Sequence, residues 1–157
     1  MAGLRRRRLR GDRGAAAVEF ALVVPLLLVL LFGIISYGVM LSFRQSLSQA
    51  ATEGARAAAV SYQTSTAQAA AYTSVNDALN SFGVTCVTGT LKKGTTTVGT
   101  CNVTAPGACT PAAATGVKCV TVTLSYNYRA HPLVPNFPGV GVVIPQTLTY
   151  SAQARVS

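Results

Sequence analysis

The sequence has no tryptophan, a single histidine, His131, and only four acidic residues, Asp12, Glu19, Glu53 and Asp77. General acid–base and Ser/His/Asp chemistry need positioned carboxylate and imidazole partners. Past the long apolar run the only candidates are Glu53 and Asp77, which read as helix-surface residues, and His131, which precedes Pro132 and opens a loop. Glycines 89, 94 and 99 lie among strand-like residues and do not open a helix, so they make no phosphate cradle. These shortages point away from an enzyme and call for no cofactor.

Cysteine is absent before residue 86, and Cys86, Cys101, Cys109 and Cys119 are spaced by 15, 8 and 10. A zinc site wants paired short spacings or histidines, so no metal is expected. If the C-terminal part is exported, two disulfides are the default.

Charge is equally uneven. Of the formal +9, six arginines (Arg5, Arg6, Arg7, Arg8, Arg10 and Arg13) against Asp12 give +5 ahead of the apolar run. Glu19 contributes −1, and +5 is spread thinly after Leu41. The arginine cluster lacks interleaved aromatics, so nucleic acid is not an expected partner. The positive-inside rule explains it instead.

What the sequence does contain is one long apolar run, FALVVPLLLVLLFGIISYGVMLSF from Phe20 to Phe43, with no formal charge. As a helix it would be about 36 Å long, enough to cross a hydrocarbon core of about 30 Å. A single-pass helix in the cell membrane is expected, with a cytoplasmic N-terminus and an extracytoplasmic C-terminal domain. Residues 44–60, rich in alanine and without proline, should continue the same rod. Leu47, Ala50, Ala51, Gly54, Ala55 and Ala58 form a mostly small stripe against which another helix could come close.

A second helix is expected to about Ser81, with Ser65 and Gln68 at capping-box spacing and Gly83 as its stop. Threonine, valine and glycine dominate after it. VTCVTGTL, TTTVGTCNV, VKCVTVTLSYNY and TLTYSAQARV read as four strands of a mostly antiparallel sheet, the first pair closed at Lys93 and Gly94. That hairpin would set Cys86 opposite Cys101. It favours Cys86–Cys101 and Cys109–Cys119 among the three possible pairings. Residues 131–146 carry four prolines among apolar side chains, and read either as a flap over the sheet or as a contact surface.

The fold class is thus α+β: a basic leader over 1–14, a transmembrane helix over 15–43, a helical extension over 44–82 and a disulfide-bonded β-rich domain over 83–157. Glu19 stands apart, because an ionisable group at the edge of a membrane helix is a functional candidate. It could also sit solvated among headgroups.

The order of basic leader, Gly14, Glu19 five residues on, apolar helix and alanine-rich extension in RGAAAVEFALVVPLLLVLLFG and YGVMLSFRQSLSQAATEGARAAA resembles class III prepilin-like N-termini. Over residues 13–59 it is similar to the TadE-like pseudopilins of tight-adherence (Flp type IV) pilus systems, of the actinobacterial kind. The resemblance implies processing after Gly14 by a prepilin peptidase, with Ala15 as the new N-terminus. It implies that Glu19 pairs with a neighbouring subunit's amine, and that other pilins or pseudopilins, pilus platform proteins and the lipid bilayer are the partners. Ala15 and Phe20 depart from the residues usual in shaft pilins and fit a minor component better. A secreted or membrane-anchored disulfide-bonded binding or adhesion domain with no pilus role is the alternative.

Overall fold

A computed structural model describes residues 11–61, 63–112, 116–135 and 144–156. Arg5, Arg6, Arg7, Arg8 and Arg10 lie outside them, as does the middle of the proline-rich segment. One helix, α1 (Gly11–Val60), runs through the apolar stretch and its alanine-rich continuation without a break. Its 50 residues make a rod of about 75 Å. Pro25 lies within it and removes one backbone donor, which a long apolar helix tolerates.

The two halves of α1 differ in what surrounds them. From Gly14 to Leu31 its side chains are almost all exposed, whereas Met40, Phe43, Leu47, Ala50, Ala51, Ala55 and Ala58 are buried. The small stripe closes against the chain's own second helix, α2 (Thr64–Leu79). A Cβ built on Gly54 would come within 2.7 Å of Val75 Cγ2, so the glycine is what permits this closeness.

The start of α2 differs from the capping box read in the sequence. Gln63 is its N-cap, in an extended conformation and without a side-chain cap. The Gln68 amide instead donates to the Val103 carbonyl at 2.5 Å. A tertiary acceptor has taken the group that local spacing assigned to the helix end. The helix tightens into a 3-10 turn over Asn80–Phe82, and Gly83 then adopts φ +65°, ending it where expected.

Among the described residues six strands follow: β1 (Val84–Val87), β2 (Thr90–Lys93), β3 (Thr96–Val103), β4 (Gly107–Ala108), β5 (Lys118–Tyr126) and β6 (Leu148–Val156). The sheet is antiparallel throughout, ordered β1-β2-β3-β5, with β4 beside the start of β5 and β6 along the opposite edge of β5. Four strands become six partly because VTCVTGTL is a hairpin in itself. It reverses at Thr88 and Gly89, whose φ of +40° and +86° suit a two-residue turn between twisted strands. Thr88, a β-branched residue in that region, hid the turn from composition.

This split also corrects the reason for the first disulfide. Cys86 lies across from Leu91, and Cys101 from Leu124, so the two cysteines are not hairpin partners. They nevertheless bond, at a Cα separation of 5.8 Å, and Cys109 bonds Cys119. The link spans the short strand β2, which a bulge at Val98 twists by giving β3 one residue more than β2 between Lys92 and Leu91. Asn76 of α2 also holds the Cys86 backbone, accepting from its N–H at 2.6 Å and donating to its carbonyl at 3.3 Å.

Alternation on β5 works as expected: Val120, Val122, Leu124 and Tyr126 point into the core beneath α1 and α2. The opposite face carries hydroxyls that pair across to β6, Thr123 with Ser151 at 3.0 Å and Ser125 with Thr149 at 2.9 Å. Gln153 donates to Thr121 there at 2.9 Å. A sheet with few charges is kept polar on its outer face in this way.

Candidate functional site

The candidate site is the exposed part of α1 and its junction with the domain. Gly14, Ala15 and Glu19 occupy the first turns and are exposed. Ala15 and Glu19 are four residues apart, hence on one face, one turn from each other. Arg13 lies in the same helix. The stretch beginning at Gly14 is long and apolar enough to cross a membrane, and its most apolar part is not buried in the domain. A single helix of this kind suits membrane anchoring.

Its far boundary is set by tertiary structure. Met40 and Phe43, the last turn of the apolar run, are buried in the domain, so the stretch left for lipid ends near Val39. From Phe20 to Val39 a helix measures about 30 Å, close to the thickness of a hydrocarbon core. Placing Val39 at one boundary puts Glu19 at the other. At that depth a carboxylate is less costly than at the bilayer centre.

An aromatic cluster clamps the junction. The Phe43 ring meets Phe82 edge-on at 5.0 Å and Tyr126 at 4.7 Å, with Tyr128 at 6.2 Å. Arg44, directly after it, donates through Nε to the Tyr150 hydroxyl on β6. The Tyr126 hydroxyl donates to the His131 carbonyl at 2.9 Å, while Arg129 donates through Nε and Nη2 to the Ile144 carbonyl at 3.1 and 2.5 Å. Helix, sheet and both described ends of the proline-rich segment thus meet one turn above the apolar stretch. Leu133 and Ile144 pack on the core there; the residues between 135 and 144, on which the choice between flap and contact surface turns, lie outside the described structure. None of Arg44, Tyr128, Arg129 or Tyr150 stands out in the sequence, because only the strand register gathers them.

Burial pushes the Tyr126 phenol up to about 12, with a smaller contribution from Tyr128, whose own phenol burial also raises. The folded protein therefore keeps a proton that the unfolded chain releases above pH 10. Stability contributed by Tyr126 is complete below pH 10 and is lost as pH rises towards about 12. Denaturation titrations between pH 9 and 12 should show this decline, and Tyr126→Phe should reduce it to the part that Tyr128 contributes, while costing about 1 kcal/mol at neutral pH for the lost hydrogen bond.

The residues weighed for catalysis are not brought together. Glu53 pairs with Arg56 at 2.8 Å on the exposed side of α1, Asp77 is exposed on α2, and His131 lies beyond the end of β5. Among the described residues no group of three His, Cys, Asp or Glu side chains could hold a metal.

Residues 14–56 match the family model for TadE-like proteins. The match begins at the glycine of the leader and ends inside α1, leaving α2 and the sheet outside it. No curated protein and no solved structure matches the chain.

Proposed function

We propose that this chain is a membrane-anchored minor pseudopilin, without enzymatic activity, that helps initiate or assemble a tight-adherence (Flp type IV) pilus. The observation that carries the reading is the coincidence of the TadE-like match with the helix from Gly14 through the apolar stretch into the domain. The arginine-rich N-terminus stays in the cytoplasm and the disulfide-bonded domain stands outside, where its two cystines persist. Prepilin peptidase cuts after Gly14. Glu19 then faces the new amine of a neighbouring pilin or pseudopilin, and the pair fixes the axial register of two helices at the membrane edge. Platform proteins of the pilus engage the assembled helices.

The test is Glu19→Gln, with N-terminal sequencing of the mature protein. Expression and membrane insertion should be preserved, while pilus output should fall sharply, because an amine dehydrated against a helix loses a counter-charge worth about 3 kcal/mol or more. The mature chain should begin at Ala15, and Gly14→Leu should leave the leader attached. Unchanged piliation in Glu19→Gln would remove the pairing role; a mature start beyond Ala50 would end the membrane-anchored reading altogether.

A further inference from the structure

Strand register fixes which parts of the domain face the bilayer. Tyr126 packs on Phe43 at the lower end of the domain, whereas a Cβ on Gly54, three turns further along α1, would approach Val122. β5 therefore descends towards the membrane. The chain reversals at that end, among the described residues, are the Gly83 turn beside Phe82, the Gly94–Thr95 turn between β2 and β3, and the turn at residues 128–130 after β5. Lys93 pairs with Val84, the first residue after that Gly83 turn, and Thr96 lies beyond the Gly99–Tyr126 pair towards the same end.

Four of the seven cationic side chains that follow Phe43 are gathered there: Arg44, Lys92, Lys93 and Arg129. Arg44 directly follows the apolar run, the two lysines form the arm of the hairpin tip, and Arg129 is held in place by its bonds to Ile144. Asp77, exposed near the end of α2, is the one acidic side chain in that half of the domain, and the only ion pair among the described residues is Glu53–Arg56, further up α1.

We propose that this end of the domain is a contact surface for anionic lipid headgroups, which Arg44, Lys92, Lys93 and Arg129 engage so that the domain stands directly on the bilayer. The proposal rests on the membrane-anchored reading of α1. It does not depend on which side of the membrane the domain occupies. The cations are continuous with the membrane helix, with no linker between the apolar stretch and the domain core, so the domain cannot swing away from the surface. Each basic group within a Debye length of an anionic surface adds to the attraction, and salt weakens it.

The test uses the full chain in vesicles of phosphatidylcholine alone or mixed with phosphatidylglycerol. The described residues contain no free cysteine, so Thr95→Cys, Val60→Cys and Leu30→Cys can each take a spin label without reduction. In anionic vesicles the label at 95 should lose access to a water-soluble relaxant by about twofold or more relative to phosphatidylcholine, and high salt should restore it. Lys92→Gln with Lys93→Gln should abolish the difference. The label at 60, at the far end of α1, should remain accessible in both vesicles. Equal accessibility at 95 in the two compositions, with the label at 30 sheltered by lipid, would overturn the headgroup contact and leave the anchor standing. Water access at 30 would overturn the anchor and the contact with it.

Discussion

Phe43→Ala is expected to cost the domain about 3–5 kcal/mol, the range for deleting a buried aromatic and leaving a cavity. Phe43 is fully buried and touches α2's end through Phe82 and the sheet through Tyr126 and Tyr128, so no single neighbour can collapse into the space it leaves. For a domain of this size the loss corresponds to a fall in melting temperature of roughly 10–20 °C, measurable by circular dichroism of the full chain in detergent. Membrane insertion should be unaffected, because the stretch from Phe20 to Val39 is unchanged. Phe43→Leu, which keeps most of the volume, should recover much of the loss. A fall of only a few degrees for the alanine variant would mean that the domain is not clamped at this junction.

Gly99→Ala should be as damaging, from the opposite cause. A Cβ there would lie 2.0 Å from the Ser125 carbonyl oxygen and 2.9 Å from the Tyr126 Cα, both backbone atoms that cannot rotate aside. Relief requires β3 and β5 to part in the middle of the sheet. The expected cost is about 3 kcal/mol or more, at the upper end of what overpacking produces. Gly99 lies opposite Tyr126 in the β3–β5 ladder, where only a residue without a Cβ lets the two backbones come this close. Gly107→Ala, whose Cβ would meet only the Ala105 carbonyl at 3.7 Å, serves as the control and should be nearly neutral. Chemical denaturation of the two variants side by side tests the comparison.

Local pattern was enough to reveal the long helix, the second helix with its stop at Gly83, and the inward set Val120, Val122, Leu124 and Tyr126. Each follows from a periodicity carried by consecutive residues. The turn at Thr88–Gly89 was not legible, since threonine is a strand former and gives no warning of a positive φ. The capping box at Ser65 and Gln68 failed because the Val103 carbonyl, distant in sequence, offered Gln68 a better place. Cys86 and Cys101 form the expected bond, but across an intervening strand and not as hairpin neighbours.

The apolar helix, the placement of Gly14 and Glu19 at its start, the α+β class and the candidacy of the cysteines for disulfides could all be read from the order of residues alone. These depend on hydrophobic length, charge order and short-range period, which are properties of the chain before it folds. Tertiary structure decided where the lipid-facing stretch ends, because only packing shows that Met40 and Phe43 belong to the domain core. It also decided that Gly54 and Gly99 are needed for close approach, and that Arg44, Lys92, Lys93 and Arg129 share one end of the molecule. Those facts rest on contacts between residues far apart in sequence, and no local pattern encodes them.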